Sequence, residues 1–150
     1  MNENTVGLDV RASSFSLRVE PRSFDPLAPM VLTVAVEFSV EHPTGRITYS
    51  ASDAAFIDDD LTRFAAESKV LLHEGRGHAH LSAVADLLEL TVTGADSGFE
   101  LTIRAEEPDT GWGFGTVQCG IPIPREAAES IDEGVRSLVS YFRERQEGAV

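Results

Sequence analysis

Apolar and polar residues alternate with a period of two through most of this chain, most clearly from Leu88 to Ala105. Leu88, Leu90 and Val92 interleave with Glu89, Thr91 and Thr93. Phe99, Leu101, Ile103 and Ala105 interleave with Glu100, Thr102 and Arg104, and the turn formers Gly94-Ala95-Asp96-Ser97-Gly98 lie between. Strand side chains point to alternate faces, so this stretch predicts a β-hairpin with one apolar and one polar face. The same pattern predicts strands at Val6 to Ala12, Phe15 to Val19, Leu32 to Val40, Ile47 to Ala51, His78 to Ala83 and Trp112 to Ile123. Pro21 to Pro29 holds three prolines and predicts an irregular loop. His42-Pro43-Thr44-Gly45 predicts a tight turn, because Pro fixes φ and Gly permits a positive φ.

Twice the period lengthens to that of a helix. Ile57, Leu61, Phe64, Ala65, Ser68, Leu71 and Leu72 describe one helical face. Asp58, Asp59 and Asp60 start it, where carboxylates cap exposed amides and meet the positive end of the dipole. Gly75 ends it as a C′ residue. A second helix starts near Pro124, which suits a first turn, and carries the stripe Ile131, Val135, Leu138, Val139 and Phe142. Gly134 inside it costs about 1 kcal/mol relative to Ala. Either something approaches the helix closely there, or it begins later, near Ser130.

The predicted order is four strands, a helix, four strands and a helix. A helix with one apolar stripe must lie on the apolar face of the sheet, and short connections favour antiparallel neighbours. The expected fold is therefore α+β: a bent antiparallel β-sheet or partial barrel of about eight strands, with two helices. Its 150 residues suit a single domain, with residues 1–5 and 146–150 expected to be loose. No internal repeat is visible along the chain. A hydrophobic fraction of 42% is too high for a disordered chain.

Charge adds what patterning cannot. The formal net charge is −13, and residues 58–110 alone hold twelve acids against four bases. Nucleic acid and anionic lipid bind through clustered Lys and Arg, so this field disfavours both and steers basic partners in. Eleven Arg to one Lys (Lys69), in a chain rich in Ala and Gly, is a bias associated with GC-rich bacterial genomes. Cys119 is the single cysteine, which excludes an intramolecular disulfide and makes a reducing, cytoplasmic setting the expectation. It alternates with Val117, Ile121 and Ile123, as a small buried hydrophobe would. The polar start MNENTVGLDV does not read as a secretion signal, and no apolar run approaches the roughly 20 residues that span a bilayer.

Candidate chemistry is sparse. His78 and His80 share one strand face, and His73 or Glu74 could join them if Gly75-Arg76-Gly77 folds back, giving metal-ligand geometry. The competing reading sends Ala79 and Leu81 inward and leaves His78 and His80 facing water. Asp58-Asp59-Asp60 lacks the spacing of an EF-hand loop. Gly111-Trp112-Gly113-Phe114-Gly115 lacks the Lys-Ser/Thr of a P-loop and the following helix of a dinucleotide fingerprint. Trp112 and Phe114 share one strand face, as core or as an aromatic contact. No G-x-S-x-G elbow occurs. These residues define neither a catalytic set nor a cofactor motif. Glu89 and Glu100 lie on the polar face of the hairpin, and Glu106, Glu107 and Asp109 follow it. Together they predict an acidic surface for a basic protein partner, whose on-rate would fall with salt.

The motifs Asp60-Leu61-Thr62-Arg63-Phe64-Ala65 and Leu88 to Ile103 (L-x-L-T-V-T-G-x-D-S-G-F-E-L-T-I), with strand pairs before and a final strand and helix after, resemble a known group. It is the small bacterial immunity-like proteins around the WapI immunity protein, with related actinobacterial domains of unknown function. The similarity runs over residues 15–142 as element order and apolar pattern. Gly75-Arg76-Gly77-His78 stands where that group carries a tryptophan-containing stretch. The resemblance implies a non-enzymatic protein that binds and neutralises a toxin, and brings no catalytic residues with it.

Overall fold

The computed structural model describes residues 6–84, 88–107 and 115–148. The chain runs β1 (Leu8–Arg11), β2 (Phe15–Phe24), β3 (Val31–His42), β4 (Gly45–Ile57), α1 (Asp58–Glu74), β5 (Gly77–Ser82), β6 (Leu88–Ala95), β7 (Gly98–Glu107), β8 (Gly115–Ile123) and α2 (Arg125–Gly148). In place of one bent sheet or partial barrel, the strands form two separate four-stranded sheets, β1-β2-β3-β4 and β5-β6-β7-β8. Every neighbouring pair is antiparallel. Each sheet is a simple meander followed by a helix, so the topology repeats although no sequence repeat is visible.

Alternation explains which face each sheet buries. In the second sheet, Ala79, Val92, Leu101 and Ile121 form one inward row, and Leu81, Leu90, Ile103 and Cys119 the next. In the first, Leu8 lies beside Val19 and Val36, and Val10 beside Leu17 and Phe38. These rows join Leu61, Phe64 and Leu71 of α1 and Ile131, Val135, Leu138 and Phe142 of α2 in one continuous buried cluster. Two sheets form because α1 stands between β4 and β5 in the chain and lies along β5. There Glu67 Oε1 accepts the outward N–H of His80 at 3.2 Å, covering an edge that would otherwise invite another strand.

Several elements are longer than their sequence pattern predicts. β2 continues through Pro21 to Phe24, with a shift of register between Pro21 and Ser23 that absorbs the missing N–H. β4 continues past Ala51 to Ile57, across a second irregularity opposite Val34 and Val36. α2 reaches Gly148, so residues 146–148 are helical rather than loose, and Gln146 Nε2 donates to the Pro29 carbonyl at 2.7 Å. α2 also begins at Arg125, which leaves close approach as the reason for Gly134. At the start of α1 the N-cap is Ile57, and no side chain caps the helix. The aspartates instead stand in the first turn, Asp58 accepting from Gln146 and Asp60 from Arg63. Gly75 is left-handed, φ 73°, and its N–H closes the helix on the Leu71 carbonyl at 2.7 Å.

Candidate functional site

The outward face of the second sheet carries the carboxylates singled out above. Its rows read His78, Thr93, Glu100, Pro122; then His80, Thr91, Thr102, Gly120; then Ser82, Glu89, Arg104, Gln118. Glu106 lies opposite Thr116 beyond them. Glu89, Glu100 and Glu106 thus share one face, with Glu89 and Glu106 half-buried by their neighbours and Glu100 exposed. Glu107 is the last residue of β7, its backbone opposite Gly115, and Asp109 lies outside the described residues, as do Trp112 and Phe114.

The face is less negative than its acids alone suggest. Arg104 stands directly opposite Glu89 and two residues before Glu106 on its own strand. Its guanidinium reaches Glu89 Oε2 at 3.5 Å and Glu106 Oε2 at 3.0 Å. Glu100 leans over Gly120, on the neighbouring strand β8. Pairs this open to solvent contribute little to stability, so their role is to set the local field.

The histidines do not converge. Ala79 and Leu81 are buried, which turns His78 and His80 to the other face. His80 Nδ1 lies 2.8 Å from Thr91 Oγ1. His78 is exposed and lines a hollow of about 400 Å³ with Val70, Leu71 and Glu74, while His73 is exposed on the last turn of α1. Among the described residues, no three His, Cys, Asp or Glu side chains come close enough to hold one ion. No helix among them is long and apolar enough to cross a membrane.

Among the described residues two polar side chains lie inside, Ser68 of α1 and Asp132 of α2, which hydrogen-bond to each other. The sequence offered one sign of this pair, a serine in an otherwise apolar stripe. Cys119 is also buried, and desolvation raises its thiol pKa. Alkylation of the folded protein near neutral pH is expected to run at least about tenfold slower than that of the urea-unfolded chain. Fast labelling of the native state would show that β8 opens. The unfolded thiol ionises first, so stability is expected to fall as pH rises past about 8.5.

No family model matches this chain, and no curated protein matches it in sequence.

Proposed function

We propose that this protein is a non-enzymatic binding module that takes a basic protein partner on the outward face of its second sheet, as an immunity protein takes a basic toxin. The supporting observation is the placement of Glu89, Glu100 and Glu106 on one strand face, within a chain of net charge −13. Strand residues hold their carboxylates at fixed spacing, which suits recognition of a repeated cationic surface. The resemblance to immunity-like proteins points to the same class of activity.

Arg104 supplies a test with a sign. It neutralises Glu89 and Glu106, so Arg104→Gln should speed capture of a basic partner, and Glu89→Gln/Glu100→Gln/Glu106→Gln should slow it. The measurement is retention of basic proteins from a lysate of the source organism, at low and at high salt, on immobilised wild type and both variants. Association with wild type should fall about tenfold or more as salt rises, since charges beyond roughly 10 Å are screened at about 0.1 M. Equal retention by the triple variant would remove the outward face from the mechanism.

A further inference from the structure

Between β2 and β3 the chain runs Asp25-Pro26-Leu27-Ala28-Pro29-Met30, and every residue from Pro26 to Met30 is both apolar and exposed. Leu27 is 94% exposed and Met30 50%. A run of consecutive exposed apolar residues costs solubility and adds nothing to the core, and such patches mark contact surfaces. The loop is also held firmly. Asp25 takes the Leu27 N–H on its carboxylate at 2.9 Å and the Ala28 N–H on its carbonyl at 2.9 Å. The Val31 N–H donates to the Ala28 carbonyl at 3.2 Å, and Gln146 of α2 donates to the Pro29 carbonyl. Phe24 at the foot of the loop packs edge-on against Phe142, with ring centroids 5.8 Å apart. Two prolines further limit what the loop can do.

We propose that Leu27 and Met30, with the carboxylates of Asp25, Asp58 and Asp59 beside them, form a preorganised knob for a partner protein whose apolar cleft is bordered by Lys or Arg. The Met30 carbonyl accepts the first N–H of α1, which sets the acidic turn against the loop. Asp60 of that turn is paired with Arg63, and the last turns of α2 carry both signs (Arg143, Glu144, Arg145, Glu147), so the aspartates decide the local charge. That charge chooses the occupant. Two copies would bring the same acids face to face on chains of net charge −13, and an anionic membrane would repel them as strongly. A basic rim around an apolar cleft satisfies both halves of the patch. Because the loop is already ordered, little conformational entropy is lost on docking. The knob uses other residues than the outward strand face and stands without it.

The test titrates the isotope-labelled full chain with a synthetic amphipathic helix of leucine and lysine, its leucine–glutamate counterpart, and phosphatidylglycerol vesicles. The leucine–lysine helix should shift the amides of Leu27, Ala28, Met30 and Asp59. Leu27→Ser should weaken it about tenfold, the scale of one lost buried leucine, with no change in melting temperature. Glu89→Gln/Glu100→Gln/Glu106→Gln should leave those shifts in place, which separates this knob from the strand face. The proposal is overturned if Leu27→Ser binds as wild type does, if the shifts map elsewhere, or if the leucine–glutamate helix binds equally. Vesicle binding through Leu27 would assign the knob to lipid, and a Leu27-dependent dimer in sedimentation would assign it to a second copy.

Discussion

Replacing Gly134 by valine is expected to lower the melting temperature by roughly 6–12 °C, equivalent to about 3 kcal/mol in a domain of this size. Gly134 lies in mid-helix, where it forgoes about 1 kcal/mol relative to alanine. An added Cβ would stand 2.9 Å from the Gly7 carbonyl oxygen, 3.0 Å from Leu8 Cα and 2.6 Å from Leu8 Cγ. The first two are backbone atoms and cannot swing aside. They are also fixed to α2, because the Gly7 N–H donates to Ser137 Oγ at 2.8 Å and Leu8 is 1% exposed in the core. Any side chain at 134 must therefore pry β1 off the helix. Alanine should already cost more than its propensity returns, and valine adds two methyl groups to the same clash. Glu133→Val, one residue away and facing solvent, is the control and should change stability by no more than about 0.5 kcal/mol. Thermal or urea unfolding measures all three. A Gly134→Ala protein more stable than wild type would mean that β1 yields freely.

Gly134 also shows where sequence reasoning reaches and where it stops. Its cost in a helix is visible from residue type alone, and two explanations follow, a close neighbour or a later helix start. Choosing between them needs the position of Gly7 and Leu8, more than a hundred residues away in the chain. Strand faces are legible for the same local reason: Leu88, Leu90 and Val92 fix the inward face of β6 whatever it packs against. Strand ends are not. Pro21 reads as a breaker, yet the register shift before Ser23 lets β2 continue. The number of sheets is illegible as well. Nothing in the alternation says that β4 and β5 fail to pair, since that depends on where α1 settles.

The candidate surface divides along the same line. Glu89, Glu100 and Arg104 are all legible as polar-face residues of the hairpin. Which of them meet depends on register, and register depends on the turn. Gly94 to Gly98 reads as one five-residue turn, but Ala95 pairs with Gly98 and only Asp96 and Ser97 turn the chain. That register puts Arg104 opposite Glu89 and makes a mixed face out of an apparently acidic one. For the histidines, inward Ala79 and Leu81 decide locally that His78 and His80 take the outward face, but that His78 is exposed while His80 is half-buried against Thr91 depends on the neighbouring strand.

Ser68→Ala should destabilise the protein by about 2 kcal/mol, and adding Asp132→Ala to it should restore about 1 kcal/mol. Asp132 is 3% exposed and Ser68 4%. One carboxylate oxygen accepts from the Ser68 hydroxyl and the other from the Arg136 guanidinium. Removing the hydroxyl leaves a buried charged oxygen without a donor, which is the costly half of any hydrogen bond. Removing the carboxylate strands nothing comparable. Ser68 Oγ still has the Ala65 carbonyl at 3.2 Å, and Arg136, about half exposed, turns to water. Asp132→Ala alone is therefore expected to cost less than Ser68→Ala, although it deletes more atoms. The double variant should fall between Ser68→Ala and wild type, near Asp132→Ala. Strictly additive losses in urea unfolding would mean that water reaches the carboxylate and that the pair does not couple the two helices. A coupling of this sign would show that the polar contact acts as a register pin: it adds little net stability, but it penalises any sliding of α1 along α2 that separates the carboxylate from its donor.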